Sequence, residues 1–251
     1  VLHFEETDPY TVNRRIHKDG AGRAQGLWNA AMKGVLDKEY AIARQTKRSH
    51  IYRLKRRTFE VLKSIETFHP EKPRSILDIG AADGLMLNNL KEVFPAATCI
   101  GIEYANDLIA CSKSKNLCLL RGDALALPMK DNVFDVVIAT AIIEHVSDPI
   151  QLICEAFRVL RKNGIFIVTT PHPFWERIAT HIGHLKEEEH NELITLNKLV
   201  SLFDKAGFEI VKAEQFMISP IGIPFEPVIE MMLKLCRLSF LLLNQKIVGR
   251  K

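Results

Sequence analysis

Little in this 251-residue chain points to a disulfide scaffold, a metal site or a membrane span. Its five cysteines (Cys99, Cys111, Cys118, Cys154, Cys236) are odd in number and none falls in a C-x-x-C, so they read as reduced packing residues of a cytosolic protein. No uncharged apolar run is long enough to cross a bilayer. No charged-then-apolar leader opens the chain, and it begins on Val1 in place of methionine, so a natural start further upstream is expected. An H-x-x-H pair, His181 and His184, would put two imidazoles on one face only if that stretch were helical, and no metal site is read there. What remains is 47% hydrophobic, enough for one substantial core and a single α/β domain with an extension.

The chain is organised around Ser75 to Gly84, S-I-L-D-I-G-A-A-D-G. Ile76, Leu77 and Ile79 suit a strand buried inside a parallel sheet, which stops on Gly80. Leu87, Leu90 and Phe94 then recur at helical spacing after Gly84. Strand, glycine turn and helix make a nucleotide-binding corner, where the backbone turns sharply and lets a ligand approach. Two fingerprints are missing: there is no G-x-G-x-x-G and no G-K-[ST]. A second strand, Thr98 to Glu103, ends on an acid 19 residues past Gly84, where a carboxylate can accept hydrogen bonds from ribose hydroxyls. Dinucleotide sites share that acid, so at this point a nicotinamide-dependent oxidoreductase stays open.

Further along come R-G-D-A-L-A-L-P (Arg121 to Pro128), an apolar fourth strand ending at Thr140, then A-I-I-E-H-V-S-D-P with Glu144, His145, Val146, Asp148 and Pro149. A fifth strand stops at T-P-H-P, Thr170 to Pro173. Thr195 to Phe208 reads as an N-capped helix closed by Gly207, and Phe208 to Phe216 as a strand. Taken together, Asp78 with G-x-x-x-G, Asp123, the E-H-V-x-D-P segment and the A-G-F ending with His190 and Thr195 resemble the class I S-adenosylmethionine-dependent methyltransferases of the type 11 kind. Ala82 stands where their motif I has its middle glycine, a small departure if φ there is negative.

The resemblance covers about residues 75 to 216. It implies a Rossmann-like, seven-stranded, mostly parallel sheet with helices on both faces, here with an N-terminal helical extension. It implies S-adenosylmethionine, leaving as S-adenosylhomocysteine, held by Asp78, Gly80, Ala81, Ala82, Gly84, Glu103, Tyr104, Gly122, Asp123, Ala124, Thr140 and Ala141, with Glu103 on the ribose and Asp123 on the adenine. His145 and His172 stand beyond the fourth and fifth strands as candidate bases, each with a structural reading beside it. The implied acceptor is a small molecule, lipid-like compound or glycan, methylated on oxygen or activated carbon. Phe174 to Asn191 reads as an irregular loop over it.

Charge is unevenly placed: residues 1 to 75 carry a net +7. Arg44, Lys47, Arg48, Arg53, Lys55, Arg56 and Arg57 follow one another without an acid on a helix expected over Ala41 to Glu66. A solvated face is one reading; a non-catalytic module binding anionic lipid or RNA is another, although nucleic acid is not favoured. Residues 1–74 are thus expected as a basic helical extension and 75–251 as the catalytic domain. In the tail, residues 229–243 read as one apolar helix with Glu230, Lys234 and Arg237 on a single stripe, buried on the domain or in a homo-oligomer, with peripheral membrane contact as the alternative.

Overall fold

The structure is a computed structural model describing residues 38–114, 117–181 and 194–251. Two helices, α1 (Lys38–Thr46) and α2 (Arg48–Phe68), precede β1 (Ser75–Ile79), α3 (Leu85–Val93), β2 (Thr98–Glu103), α4 (Asn106–Ala110), β3 (Cys118–Arg121), β4 (Phe134–Thr140), α5 (Pro149–Val159) and β5 (Leu160–Pro171). Then follow α6 (Pro173–His181), α7 (Leu196–Lys205), β6 (Glu209–Phe216), α8 (Glu226–Leu235), a 3-10 turn (Ser239–Leu241) and β7 (Asn244–Arg250). The seven strands lie in the order β3-β2-β1-β4-β5-β7-β6, parallel except for β7, which runs against both neighbours. This is the sheet of the class I methyltransferase fold, as the sequence leads one to expect.

Alternation along the central strands explains the layers. Val136, Ile138, Ile165 and Ile167 pack on one face with Val61 and Ile65 of α2 and Met86 and Leu90 of α3. Val137, Ala139, Phe166 and Val168 point the other way, onto Leu152 and Ile153 of α5 and Leu199 and Phe203 of α7. Caps fix the helix starts. Asp148 accepts the Gln151 N–H at 3.2 Å with Pro149 in the first turn of α5, and Thr195 accepts the Lys198 N–H at 3.3 Å.

Several expectations are corrected. The helix expected over 41–66 is two helices, because Lys47 takes an extended conformation (φ −80°, ψ 125°) between them. Pro173 to His181 is helical, started by a proline that suits a first turn. Of the cysteines only Cys99 is buried; Cys118, Cys154 and Cys236 are exposed. The helix expected over 229–243 is α8, Glu226–Leu235, and Arg237 at φ 60° turns the chain out of it. Its orientation is the reverse of the expected one. Glu226 and Glu230 are its buried residues, whereas Val228, Met231, Met232 and Leu235 are more than half exposed.

That reversal has a cause on α2. Glu226 accepts the Tyr52 hydroxyl and the Ile218 N–H (2.9 Å), and Glu230 accepts the Met217 N–H (2.6 Å) and pairs with Arg56. Arg56 also pairs with Glu60, which meets Lys246 of β7 at 2.6 Å; Lys246 is 3.2 Å from Glu214, and Glu214 is 2.9 Å from Lys234. Burying α8's acids completes this network, and an unpaired acid or base there would be costly.

Candidate functional site

At the carboxyl ends of β1, β2 and β4 lies a cavity of about 490 Å³, within the range of small-molecule sites. The turn after β1 forms its floor. Gly80 holds φ +74° with its N–H on the Ile102 carbonyl at 2.8 Å, and a Cβ there would stand 2.5 Å from Ile142 Cδ1. No L side chain fits that conformation and that gap. Ala82, in contrast, is an alanine in the left-handed region at φ 51°, so the condition under which it would be a small departure from glycine is not met. Its N–H donates to Glu103 Oε2 at 2.9 Å, and Glu103 Oε1 accepts the Ala105 N–H at 3.0 Å. One carboxylate thus fastens the turn after β1 to the turn after β2, and Glu103 also lines the cavity.

Asp78 is 2% exposed and its Oδ1 has no hydrogen-bond partner. Burial pushes its carboxyl up to about 7, Arg44 works against that, and Glu103 adds to it. Asp123 is exposed, with Oδ1 on the Leu125 N–H at 2.9 Å, which holds the loop after β3 against the cavity. Ala81, Tyr104, Ala124, Thr140 and Ala141 also line it. Gly84 and Gly122 do not; Gly84 starts α3, and a Cβ on it would meet Leu117 at 2.8 Å, while Gly122 donates to the Glu103 carbonyl at 3.0 Å.

The two histidines part company. His145 lines the cavity in the loop after β4, its N–H bonded to the Ile142 carbonyl at 2.8 Å. His172 lies outside the lining; its Nδ1 accepts the Phe174 N–H at 3.3 Å at the start of α6, and burial lowers its pKa. The side chain of His181, and all of His184 and His190, fall outside the described residues. Among the described residues no three His, Cys, Asp or Glu gather as a metal site.

The opposite wall is one that sequence reasoning missed. Tyr40 and Arg44 of α1 and His50, Arg53, Leu54 and Arg57 of α2 close over the cavity. The basic run is therefore divided by helical geometry: Lys47, Arg48 and Lys55 are exposed, Arg56 sits in the ion-pair network, and Arg44, Arg53 and Arg57 face inward. The spacing of His50, Arg53, Leu54 and Arg57, at i, i+3, i+4 and i+7, is the signal that marks one face.

A family model described as a methyltransferase domain matches residues 49–213. A protein of Mycolicibacterium smegmatis named as a probable S-adenosylmethionine-dependent methyltransferase is 30% identical over 141 residues, covering 55% of this chain and 52% of that one. The demethylmenaquinone methyltransferase of Lactococcus lactis is 27% identical over 171 residues, covering 56% of this chain and 68% of its own. Against the first of these the chain spans about half the relative's length. A solved S-adenosylmethionine-dependent methyltransferase of Archaeoglobus fulgidus superposes with TM-score 0.59 at 21% identity, over 79% of this chain and 94% of that one, which speaks for the fold. The family match begins within the first turn of α2 and ends in β6, so it takes in the glycine corner and the α2 part of the wall above it, His50, Arg53 and Arg57, but not Tyr40 and Arg44 of α1. With that span matched, the chain belongs to the methyltransferase-domain family, whose methyl donor is S-adenosylmethionine.

Proposed function

We propose that the chain transfers the methyl group of S-adenosylmethionine to an oxygen or activated carbon of a small, lipid-like acceptor. The observation that carries this is the single cavity in which the Gly80 to Ala82 turn, Glu103 and Asp123 share space with His145 and the inner face of α2. The residues fit the donor. Gly80 lets a ligand lie against the backbone, Asp78 offers a buried carboxylate oxygen without a partner, Glu103 has acceptor capacity left for ribose hydroxyls, and Asp123 has it for an adenine amino group. Bound there, the donor supplies a methyl already activated by its sulfonium. The protein's part is to align the acceptor, exclude water and, where a hydroxyl reacts, take its proton.

We assign that proton to His145, which lines the cavity after β4; His172 lies outside the lining and caps α6, and His50, which also lines it, is pulled down to about 4. Support for a lipid-like acceptor comes from apolar surface at the same end of the sheet: Phe174 on α6, Ile221 and Phe225 before α8, and Met231 and Leu235 on it are exposed. Demethylmenaquinone, in the name of the Lactococcus lactis relative, is of this kind.

The test is turnover with methyl-labelled S-adenosylmethionine on a quinol, a long-chain hydroxy acid and a free sugar. Label entering the apolar acceptors and not the sugar supports the reading, and label entering only the sugar overturns it. His145→Ala is expected to lower kcat by about a hundredfold with S-adenosylhomocysteine affinity kept. The same loss from His172→Ala alone would move the base to His172.

A further inference from the structure

The two ends of the arginine wall differ in what they hold. At one end Arg44 Nη1 lies 3.0 Å from Asp83 Oδ1 and Gln45 donates to Asp83 Oδ2 at 3.0 Å, so that cation is matched by a carboxylate of the glycine corner. At the other end Arg53 and Arg57 stand one helical turn apart. Arg57 donates from Nε (3.2 Å) and Nη2 (2.9 Å) to one neutral oxygen, Asn244 Oδ1, and Arg53 donates from Nε to the Ser49 carbonyl at 3.4 Å. Among the described residues neither forms an ion pair with a carboxylate.

The local field is positive. His50, on the same face, is pulled down to about 4 by burial and then by Arg53, Lys47, Arg44 and Arg57, with no acid among the causes. Glu144 and Glu176 act on Arg57 through space, but burial and Arg53 outweigh them and its pKa is lowered. A guanidinium held on one amide oxygen keeps the rest of its planar donor fork for a second acceptor, and carboxylate and phosphate are the groups that match the fork.

Position across the sheet separates this pair from the cofactor corner. Asn244 is paired with Pro171 of β5, and β4 and then β1 follow, so it stands three strands from β1. At about 4.8 Å per strand that is about 14 Å from the strand that carries the glycine turn. Asn244 is 3% exposed and sits at the start of β7, so the anchor that aims Arg57 is itself fixed.

We propose that Arg53 and Arg57 form the subsite for an anionic group, carboxylate or phosphate, on the methyl acceptor, with Asn244 as the residue positioning Arg57. The acceptor is then an acid whose charge is seated away from the methylated atom. This rests on the methyl-transfer reading, which it narrows.

The experiment is calorimetric titration of the S-adenosylhomocysteine-loaded protein with benzoate, phenylphosphate and, as the neutral probe, benzyl alcohol. The two anions distinguish carboxylate from phosphate. Either anion binding at least about tenfold tighter than the alcohol, with Arg53→Met and Arg57→Met each removing that preference and S-adenosylhomocysteine affinity unchanged, supports the subsite. Arg57→Lys restores the preference only in part, since it keeps the charge and loses the fork. Equal binding of anion and alcohol overturns the proposal. A loss of S-adenosylhomocysteine affinity in the arginine variants overturns it too, by giving the arginines to the cofactor's own carboxylate. Should wild-type protein not bind S-adenosylhomocysteine, the methyl-transfer reading falls, and the same anion titration of the free protein decides the subsite by itself.

Discussion

The Ala82 N–H donates to Glu103 Oε2 at 2.9 Å, which ties the turn after β1 to the end of β2 across 21 residues of chain. Glu103 therefore has two tasks, shaping the turn and offering an acceptor to the ligand. Glu103→Ala is expected to weaken S-adenosylhomocysteine binding by about 1 to 3 kcal/mol, read by calorimetry. Unchanged affinity would remove Glu103 from the ribose.

Ala82 carries the strain of that arrangement. A left-handed alanine costs about 1 to 2 kcal/mol, and glycine in its place loses about 0.5 to 1 kcal/mol of chain entropy on folding. Ala82→Gly should thus stabilise the fold by about 0.5 kcal/mol in urea unfolding. A destabilised variant would show that the Ala82 methyl, buried at 4% exposure, contributes more than the strain it brings.

Asp78 gives the stability profile a definite sign. Its carboxyl is pushed from 3.8 to about 7 in the folded protein, so between those values the folded state keeps a proton that the unfolded state has released. Stability of the free protein should therefore fall as pH rises through this window, by up to about 1.4 kcal/mol per pH unit from this group, and level off above it. His50 slopes the opposite way between about 4 and 6.5, and is present in both proteins compared. Subtracting the Asp78→Asn profile isolates Asp78, and parallel profiles would refute the assignment.

Lys246 is 2% exposed between Glu60 and Glu214. Lys246→Met leaves the buried Glu60 and the half-buried Glu214 with one cation fewer, and a loss of about 3 kcal/mol is expected in denaturant unfolding. A loss below 1 kcal/mol would mean that Arg56 and Lys234 carry the network alone.

For a lipid-like acceptor the outward face of α8 is expected to meet lipid, since it lies at the acceptor end of the sheet with Arg237 exposed beside Leu235. Co-sedimentation with vesicles of phosphatidylcholine and phosphatidylglycerol should be seen for wild type and abolished by Met231→Lys with Leu235→Lys. Concentration-dependent dimerisation lost in the same variant, without vesicle binding, would give that face to a second copy instead.

The parallel sheet and the floor of the cavity were legible because short-range rules govern them: a buried strand, a glycine the turn demands, an acid at a strand end, a proline in a first turn. The upper wall was not. Whether Arg53 faces solvent or the cavity depends on which face α2 turns to the sheet, and that is set by Val61 and Ile65 packing on Ile76 and Leu90. The orientation of α8 was illegible for the same reason. Its apolar majority argued for burial, yet Glu226 and Glu230 found Tyr52 and Arg56 on a helix 174 residues away, and those partners decided which side went in. His172 reads as a candidate base by its place after a strand; its local contact with the N–H of Phe174 at the start of α6 has no signature in the sequence.

Lys246 and Glu60 stand 186 residues apart in the chain, and Asn244 and Arg57 stand 187 apart. A ribosome releases β1 through β4, and with them the cofactor corner, well before it releases the residues that clasp α2. During synthesis α2 can already pack on β1 and α3, but Arg57 lacks Asn244 and Glu60 lacks Lys246 until the last strand emerges, so the half of the site that recognises the acceptor is completed last. A chain that stops after β6 keeps the corner for the donor and lacks the strand that aims Arg57.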